Sequence, residues 1–359
     1  MKNYTLLTIN PGSTSTKIAL FDGENQRFEK TLRHSNEELA PYKKIADQFA
    51  FRKELILAAL RDEGVALETI DAVVGRGGLV KPIPSGVYEM NEALVRDLTD
   101  APLGEHASNL GGLIALDLTR QIGGSARAFI ADPVVVDELQ DVARVSGHPE
   151  LPRVSIFHAL NHKAIARTYA KSIGKPYEAL NLIVAHLGGG VSVGAHEQGR
   201  VIDVNNALYG EGPFSPERMG TVSARQLADL CFSGKYTHEQ VKKMVAGRGG
   251  IVAHLGTNDM REVRERVAAG DEQARLIADA LAYTVAKEIG AMATVLKGKV
   301  DAILLTGGLV YGEITREYIR QRVEFIAPVE FYPGEDEMRA LAMNGLAVLR
   351  REVAPKIYR

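Results

Sequence analysis

The chain has 359 residues, 45% of them hydrophobic and 25% charged, which is too long for one comfortable core and too apolar for disorder. With 43 basic against 45 acidic residues the formal net charge is -2, so no broad positive field recruits nucleic acid or an anionic membrane. The single cysteine, Cys231, excludes an internal disulfide. No apolar run approaches the ~18 residues of a membrane span, and MKNYTLLTIN lacks the pattern of a signal peptide; the sequence therefore predicts a cytoplasmic protein.

In chain order, residues 4–9 read as a strand, NPGSTST as a loop of small residues, 17–21 as a second strand and Asp22-Gly23 as a hairpin turn. Apolar residues at three- and four-residue spacings predict helices over 43–62 and 109–122. SGHPELPR at 146–153 is the expected domain boundary. It divides the chain into an N-terminal domain, 1–150, joined by the C-terminal helix 337–359, and a C-terminal domain, 151–336. Residues 181–204 repeat the opening plan: NLIVAHL, a GGG loop, VSVGAH, a turn and RVIDV. An apolar stripe predicts a long helix over 271–297. The buried strand VDAILLTGG follows, then a helix over GEITREYIRQRVEFI at 312–326, and a last helix over 336–352.

Three segments set glycine or small hydroxyl residues directly after a strand: NPGSTSTK at 10–17, HLGGGVSVG at 186–194 and TGGLVYGE at 306–313. Missing or small side chains let backbone N–H groups approach phosphate oxygens, hydroxyls donate further bonds, and Lys17 adds a point charge. Any one of the three is equally well a tight turn, and none fits the G-x-x-x-x-G-K-[ST] pattern. Arg76 in VVGRGGLV, His106 in APLGEHASN, Asp132 in FIADP, His158 in IFHALNH, His186 in VAHLGGG and Arg218 in FSPERMG are polar residues in apolar or small-residue settings. Singly, each also suits a structural role: a satisfied core histidine, a turn-forming aspartate, a surface ion pair.

Taken together, the segments resemble the acetokinase family over almost the whole chain. TINPGSTSTK resembles its N-x-G-S-S-S-x-K phosphate loop, IFHALNH its F-H-G-T-S-H, HLGGG its H-L-G-N-G and LLTGGLVYGE its T-G-G-I-G-E adenosine loop. VVGRGGL resembles the segment with the substrate arginine, APLGEHASNL the histidine loop, FIADP the aspartate segment and YPGEDEMRALA the P-T-N-E-E-L segment. The resemblance implies a duplicated α/β fold of the actin, sugar kinase and Hsp70 type with nucleotide in the interdomain cleft. It also implies transfer of a phosphoryl group from ATP to a short-chain carboxylate with Mg²⁺, and a homo-oligomer. The compressed RGGLVKP, FSPERMG and the shorter chain point to the branch acting on butanoate and its branched relatives. Acetate or propionate kinase is the alternative within the family. An ATPase module controlling protein partners is the alternative outside it.

A carboxylate is ionised at neutral pH, so the attacking oxygen needs no base. The reaction needs cations and donors that offset repulsion between acid and triphosphate and stabilise the equatorial oxygens in transfer. The resemblance gives Arg76 and His106 to the acid, and His158, Arg218 and Asp132 to catalysis. It gives Asn10, Ser13, Thr14, Ser15, Lys17, His186, Gly188, Gly189, Gly190, Gly307 and Gly308 to the nucleotide phosphates, and Asp336 and Glu337 to Mg²⁺. The family's T-R-S-G is missing as such: Val222 stands at its arginine, so Arg218 is taken as the replacement and Arg225 as the second choice. Phe214, Pro213 and Val80 are the candidates for lining the acyl chain.

Overall fold

The computed structural model describes residues 2–359. They form two compact units, one up to Val136 together with Asp336–Arg359, the other Asp137–Glu335. The Gly/Pro-rich stretch 146–153 lies inside the second.

The first unit is built on a six-stranded sheet: β1 (Thr5–Pro11), β2 (Ser15–Asp22), β3 (Asn25–Arg33), β4 (Ala72–Arg76), β5 (Val87–Glu89) and β6 (Arg127–Ala131), in the order β3-β2-β1-β4-β6-β5. β1, β2 and β3 form an antiparallel meander, β4 and β6 run parallel to β1, and β5 is antiparallel to β6. Side chains alternate across β2, so its two faces enter different cores. Ile18 and Leu20 pack with Leu7, Ile9, Ile56 and Leu60, the last two from the helix Phe49–Asp62, and with Leu110, Ile114 and Leu118 from the helix Asn109–Ile122. Ala19 and Phe21 pack with Met338 and Ala342 of the helix Glu337–Leu349. That helix lies so close to the sheet that a Cβ on Gly345 would press into Val74. Central strands covered on both faces read as near-continuous apolar runs, as β1 does. The helix expected from 43 begins with a 3₁₀ turn, Ala46–Gln48.

The second unit carries β7 (Asn181–Leu187), β8 (Val191–Glu197), β9 (Arg200–Val204), β10 (Ala302–Gly307) and β11 (Val329–Pro333), in the order β11-β10-β7-β8-β9. β7, β8 and β9 are an antiparallel meander, and β10 runs parallel to both β7 and β11. One face packs Ile183, Ala185 and Val193 with Leu281, Val285 and Ile289 of the helix Glu272–Val295 and with Ile319 and Val323 of the helix Glu313–Val323. The other packs Leu182, Val184, Ala302 and Leu304 with Ala166, Ala170 and Tyr177. The series β9-β8-β7-β10-β11 repeats β3-β2-β1-β4-β6 strand for strand and direction for direction. The duplication expected from two similar hairpins therefore extends through five strands. Among the described residues no helix is long and apolar enough to cross a membrane.

Candidate active site

In the first unit Gly12, Ser13 and Thr14 join β1 to β2, with Ser13 and Thr14 exposed at the tip. The loop is held from beneath by Arg52, whose side chain is fully buried. Nη2 donates to Ser13 O (3.0 Å), and Nη1 donates to Ser15 O and to Thr16 Oγ1 (both 2.9 Å). Nε and Nη2 donate to Gln48 Oε1 at 3.0 and 2.8 Å, so all five guanidinium hydrogens are used. None of these acceptors is a carboxylate. A cation therefore sits under the loop without an anionic partner, and burial pulls its pKa down. Lys17, expected on the phosphate path, is directed to Glu29 at 3.6 Å.

Asn10 ends β1 and Arg76 ends β4, next to it in the sheet. Gly75 lets the helix Asn109–Ile122 press on β4, since a Cβ there would overlap the backbone of Gly111. Glu337, the first residue of its helix, meets both polar side chains: Asn10 Nδ2 donates to Oε2 at 2.5 Å, and Arg76 donates to Oε2 through Nη1 and lies 3.2 Å from Oε1 through Nη2. Arg76 Nη1 also donates to Asn10 Oδ1 at 3.3 Å. Asp336 is engaged otherwise, its carboxylate capping the same helix at Arg339 N. The backbone N–H of Ser108 donates to His106 Nδ1, which leaves Nε2 as the protonated nitrogen of the neutral ring. Loss of surrounding water to the neighbouring chain, then the charge of Arg76, lowers the His106 pKa although the residue keeps an exposed edge. Asp132 is buried with φ at 38°, a left-handed conformation uncommon for a residue with a side chain. Its Oδ1 accepts from Ser85 Oγ (2.6 Å) and Gly86 N (2.8 Å).

In the second unit His158 caps the helix Ala159–Ser172, and His186 lies near the end of β7. Their rings stack with centroids 4.0 Å apart. His186 Nδ1 meets Asn161 Oδ1 at 3.0 Å, and its Nε2 faces Glu335 at 3.5 Å. Gly188, Gly189 and Gly190 turn β7 into β8. Arg218 lies directly on this turn: a Cβ on Gly190 would overlap its Nη1. Arg218 Nη1 donates to Ala207 O at 2.6 Å, while Ser215 Oγ bonds both Gly189 O and Arg218 N and so ties the two loops together. Burial lowers the pKa of this guanidinium, which remains a cation. Arg225 is elsewhere, on an exposed helix face beside Asp229.

Gly307 and Gly334 exchange two backbone hydrogen bonds at 2.9 and 3.0 Å, fixing the end of β10. Gly308 then opens a 3₁₀ turn, Gly308–Tyr311, and the helix expected over 312–326 follows as Glu313–Val323. Gly188, Gly189 and Gly308 line one cavity of about 400 Å³ with Asn258, Asp259, Arg261, Arg264 and Tyr311. The segment at 258–264 carried no expectation from sequence; TNDMREV reads there as an ordinary helix start, and Asp259 does cap the helix Met260–Ala268. Phe214 lines a second cavity, about 690 Å³, with Met219, Val222, Met244 and Ala253. Val80 belongs instead to the core of the first unit.

Each unit thus gathers cations and backbone donors around glycine or small-residue turns at sheet ends, a set suited to anions. The sequence model of the acetokinase family matches residues 152–342. Two proteins from Clostridium acetobutylicum match over 356 residues: butyrate kinase 1, 56% identical over 99% of this chain and 100% of its own, and butyrate kinase 2, 55% identical over 99% of each. The structure matches acetate kinase from Porphyromonas gingivalis with a TM-score of 0.78 at 22% identity, covering 96% of this chain and 100% of that one. The fold is accordingly that of the acetate kinases, the duplicated α/β arrangement shared with actin and the sugar kinases. The chain belongs to the acetokinase family.

Proposed function

We propose that the protein transfers the γ-phosphoryl group of ATP to butanoate, giving ADP and butanoyl phosphate, with isobutanoate and isovalerate as further acceptors. The observation that carries the choice of acid is identity above 50% with two butyrate kinases over essentially the whole length. An acetate kinase and a propionate kinase of known structure stand at 22% and 19%. The protein is a phosphotransferase with a carboxyl acceptor.

Arg76 receives the acid. Its fork already pairs with a carboxylate, that of Glu337, and butanoate presents the same two oxygens. His158 and Arg218 donate to the oxygens of the transferring phosphoryl group, whose charge grows as the bond to ADP loosens. The backbone of Gly188–Gly190 and the loop over Arg52 take the phosphates, while the cavity of Asn258, Asp259 and Gly308 takes the nucleoside, with Asp259 able to accept from a ribose hydroxyl. Asp132, whose Oδ1 accepts from Ser85 and Gly86, is held in place at the end of β6.

Mg²⁺ fits the residues present. Among the described residues no three His, Cys, Asp or Glu side chains gather into a cage. A cation that arrives on phosphate and keeps its water needs only one or two hard oxygen ligands. Glu337 and Asn10 supply a carboxylate and an amide oxygen side by side, whereas the carboxylate of Asp336 is spent on its cap. Bound there, the ion would offset negative charge on the phosphates.

The test is trapping with hydroxylamine, which turns an acyl phosphate into its hydroxamate. With ATP, Mg²⁺ and acids from acetate to isovalerate, the highest kcat/KM is expected with butanoate or a branched four- or five-carbon acid. A preference for acetate would return the protein to the acetate kinases, and no hydroxamate with any acid would leave only an ATPase.

A further inference from the structure

Four hydrogen bonds run in single file through the interior of the second unit and end on His158. Tyr177 Oη lies 2.7 Å from His196 Nδ1, and His196 Nε2 lies 3.2 Å from His162 Nδ1. His162 Nε2 lies 2.9 Å from Ser192 Oγ, which is 2.8 Å from His158 Nδ1. Tyr177, His196, His162 and Ser192 are all buried, the last three completely, and His158 is half-buried. A buried polar side chain needs a partner, but one catalytic donor does not need three more residues stacked behind it.

Proton counting gives the row a direction. Burial pushes the pKa of both His162 and His196 well below the ordinary histidine value, so each ring is neutral, with one N–H and one bare nitrogen. Each link then holds one proton, and the direction of any link fixes the others. If all donors point toward His158, Tyr177 donates to His196, His196 to His162, His162 to Ser192 and Ser192 to His158 Nδ1. The His158 proton then sits on Nε2. If all point away, His158 donates from Nδ1 and presents a bare lone pair at Nε2, which repels a phosphoryl oxygen. A phenol donates more readily than it accepts, so Tyr177 biases the row toward the first state.

We propose that Tyr177, His196, His162 and Ser192 are positioning residues that hold His158 as its Nε2–H tautomer, fixing it as a donor before the phosphoryl group arrives. This rests on the reading of His158 as a donor to that group.

The experiment is ¹⁵N NMR of histidine-labelled protein, which reports the tautomer of each ring, paired with steady-state kinetics. Wild-type His158 is expected to be almost wholly Nε2–H. In Tyr177→Phe, which keeps the ring, the two tautomers are expected to approach equal populations, and kcat to fall by the same factor, about twofold, with both KM values unchanged. Ser192→Ala removes the last link and should likewise release the tautomer and lower kcat about twofold in step with the Nε2–H fraction, while Ser192→Thr, which restores the hydroxyl, should recover most of both. A wild-type His158 found as Nδ1–H, or a tautomer unmoved in both Tyr177→Phe and Ser192→Ala, overturns the proposal. So does a kcat that falls with melting temperature alone and does not follow the Nε2–H fraction. Full turnover in His158→Ala would instead remove the underlying role of His158, and the tautomer measurement would still decide whether the row orients the ring.

Discussion

Arg218 and Arg76 are the two guanidinium groups to which the proposed chemistry assigns the phosphoryl group and the acid, and their surroundings differ. Arg218 is half-buried against Gly190, where a Cβ would overlap its guanidinium, with an acceptor at Ala207 O. Its replacement by alanine is expected to lower kcat roughly 10²- to 10³-fold, the usual effect of losing one donor to a developing charge. Arg225→Ala, on an exposed helix face, should leave turnover unchanged. Gly190→Ala should push the Arg218 guanidinium off the turn and reproduce much of its loss; the double variant should then be little worse than Arg218→Ala, which steady-state kinetics will show. Arg76 holds the Glu337 carboxylate where the acid is proposed to bind, so Arg76→Ala should raise the KM for the acid roughly 10- to 100-fold and spare that for ATP. From sequence Arg218, within FSPERMG, is only a stand-in, because the residue at the family's arginine is Val222; the structure sets it on Gly190. Asp259 and Arg261 were not legible at all, since a capping aspartate and a helix-surface arginine carry no mark of the cavity they line.

The first hairpin loop shows what a single element requires. Its sequence, NPGSTST, suits a tight turn as well as a phosphate loop, and the side chain that fixes its shape comes from a helix three dozen residues later. Arg52 lies on a helix read by its apolar stripe, and a charged residue between apolar positions is ordinarily assigned to water. Here it is fully buried and spends its five hydrogens on the loop, Thr16 and Gln48. Arg52→Lys keeps the charge but not the fork. It should destabilise the protein by about 1–3 kcal/mol in denaturant unfolding, because Ser13 O and Ser15 O lose buried donors. It should also raise the KM for ATP with little effect on that for the acid. A KM for ATP that stays at the wild-type value would detach the loop from the nucleotide. The strands and long helices were readable because their periodicities are strong; the 3₁₀ turns at Ala46 and Gly308 were not, because one turn leaves no periodic signal.

Across the whole molecule, five strands of one unit recur in the other, and the two hairpins that open them are what the sequence displayed most plainly. The last helix and the tail beyond it pack within the first unit. Tyr358 is buried beyond the last helix, donates to Asp97 at 2.7 Å and accepts from Lys81 N, contacts no local pattern could announce. Burial, then the bond to Asp97, pushes its pKa up to about 12. The neutral phenol is therefore favoured by folding. Its contribution, roughly 2 kcal/mol, is complete below pH 10 and disappears as pH rises toward 12. Urea unfolding of Tyr358→Phe should show lower stability at pH 8 and a shallower decline above pH 10 than the wild type. Equal slopes would mean that another group governs the alkaline limit.

The central claim, that a carboxylate oxygen attacks the γ-phosphorus directly, is tested by following [carboxyl-¹⁸O₂]butanoate and ATP by ³¹P NMR. The expected product is butanoyl phosphate whose phosphorus carries one bridging ¹⁸O, seen as an upfield isotope shift equal in intensity to the ADP formed. Acyl phosphate without ¹⁸O on phosphorus, or inorganic phosphate as the sole product beside ADP, would contradict it.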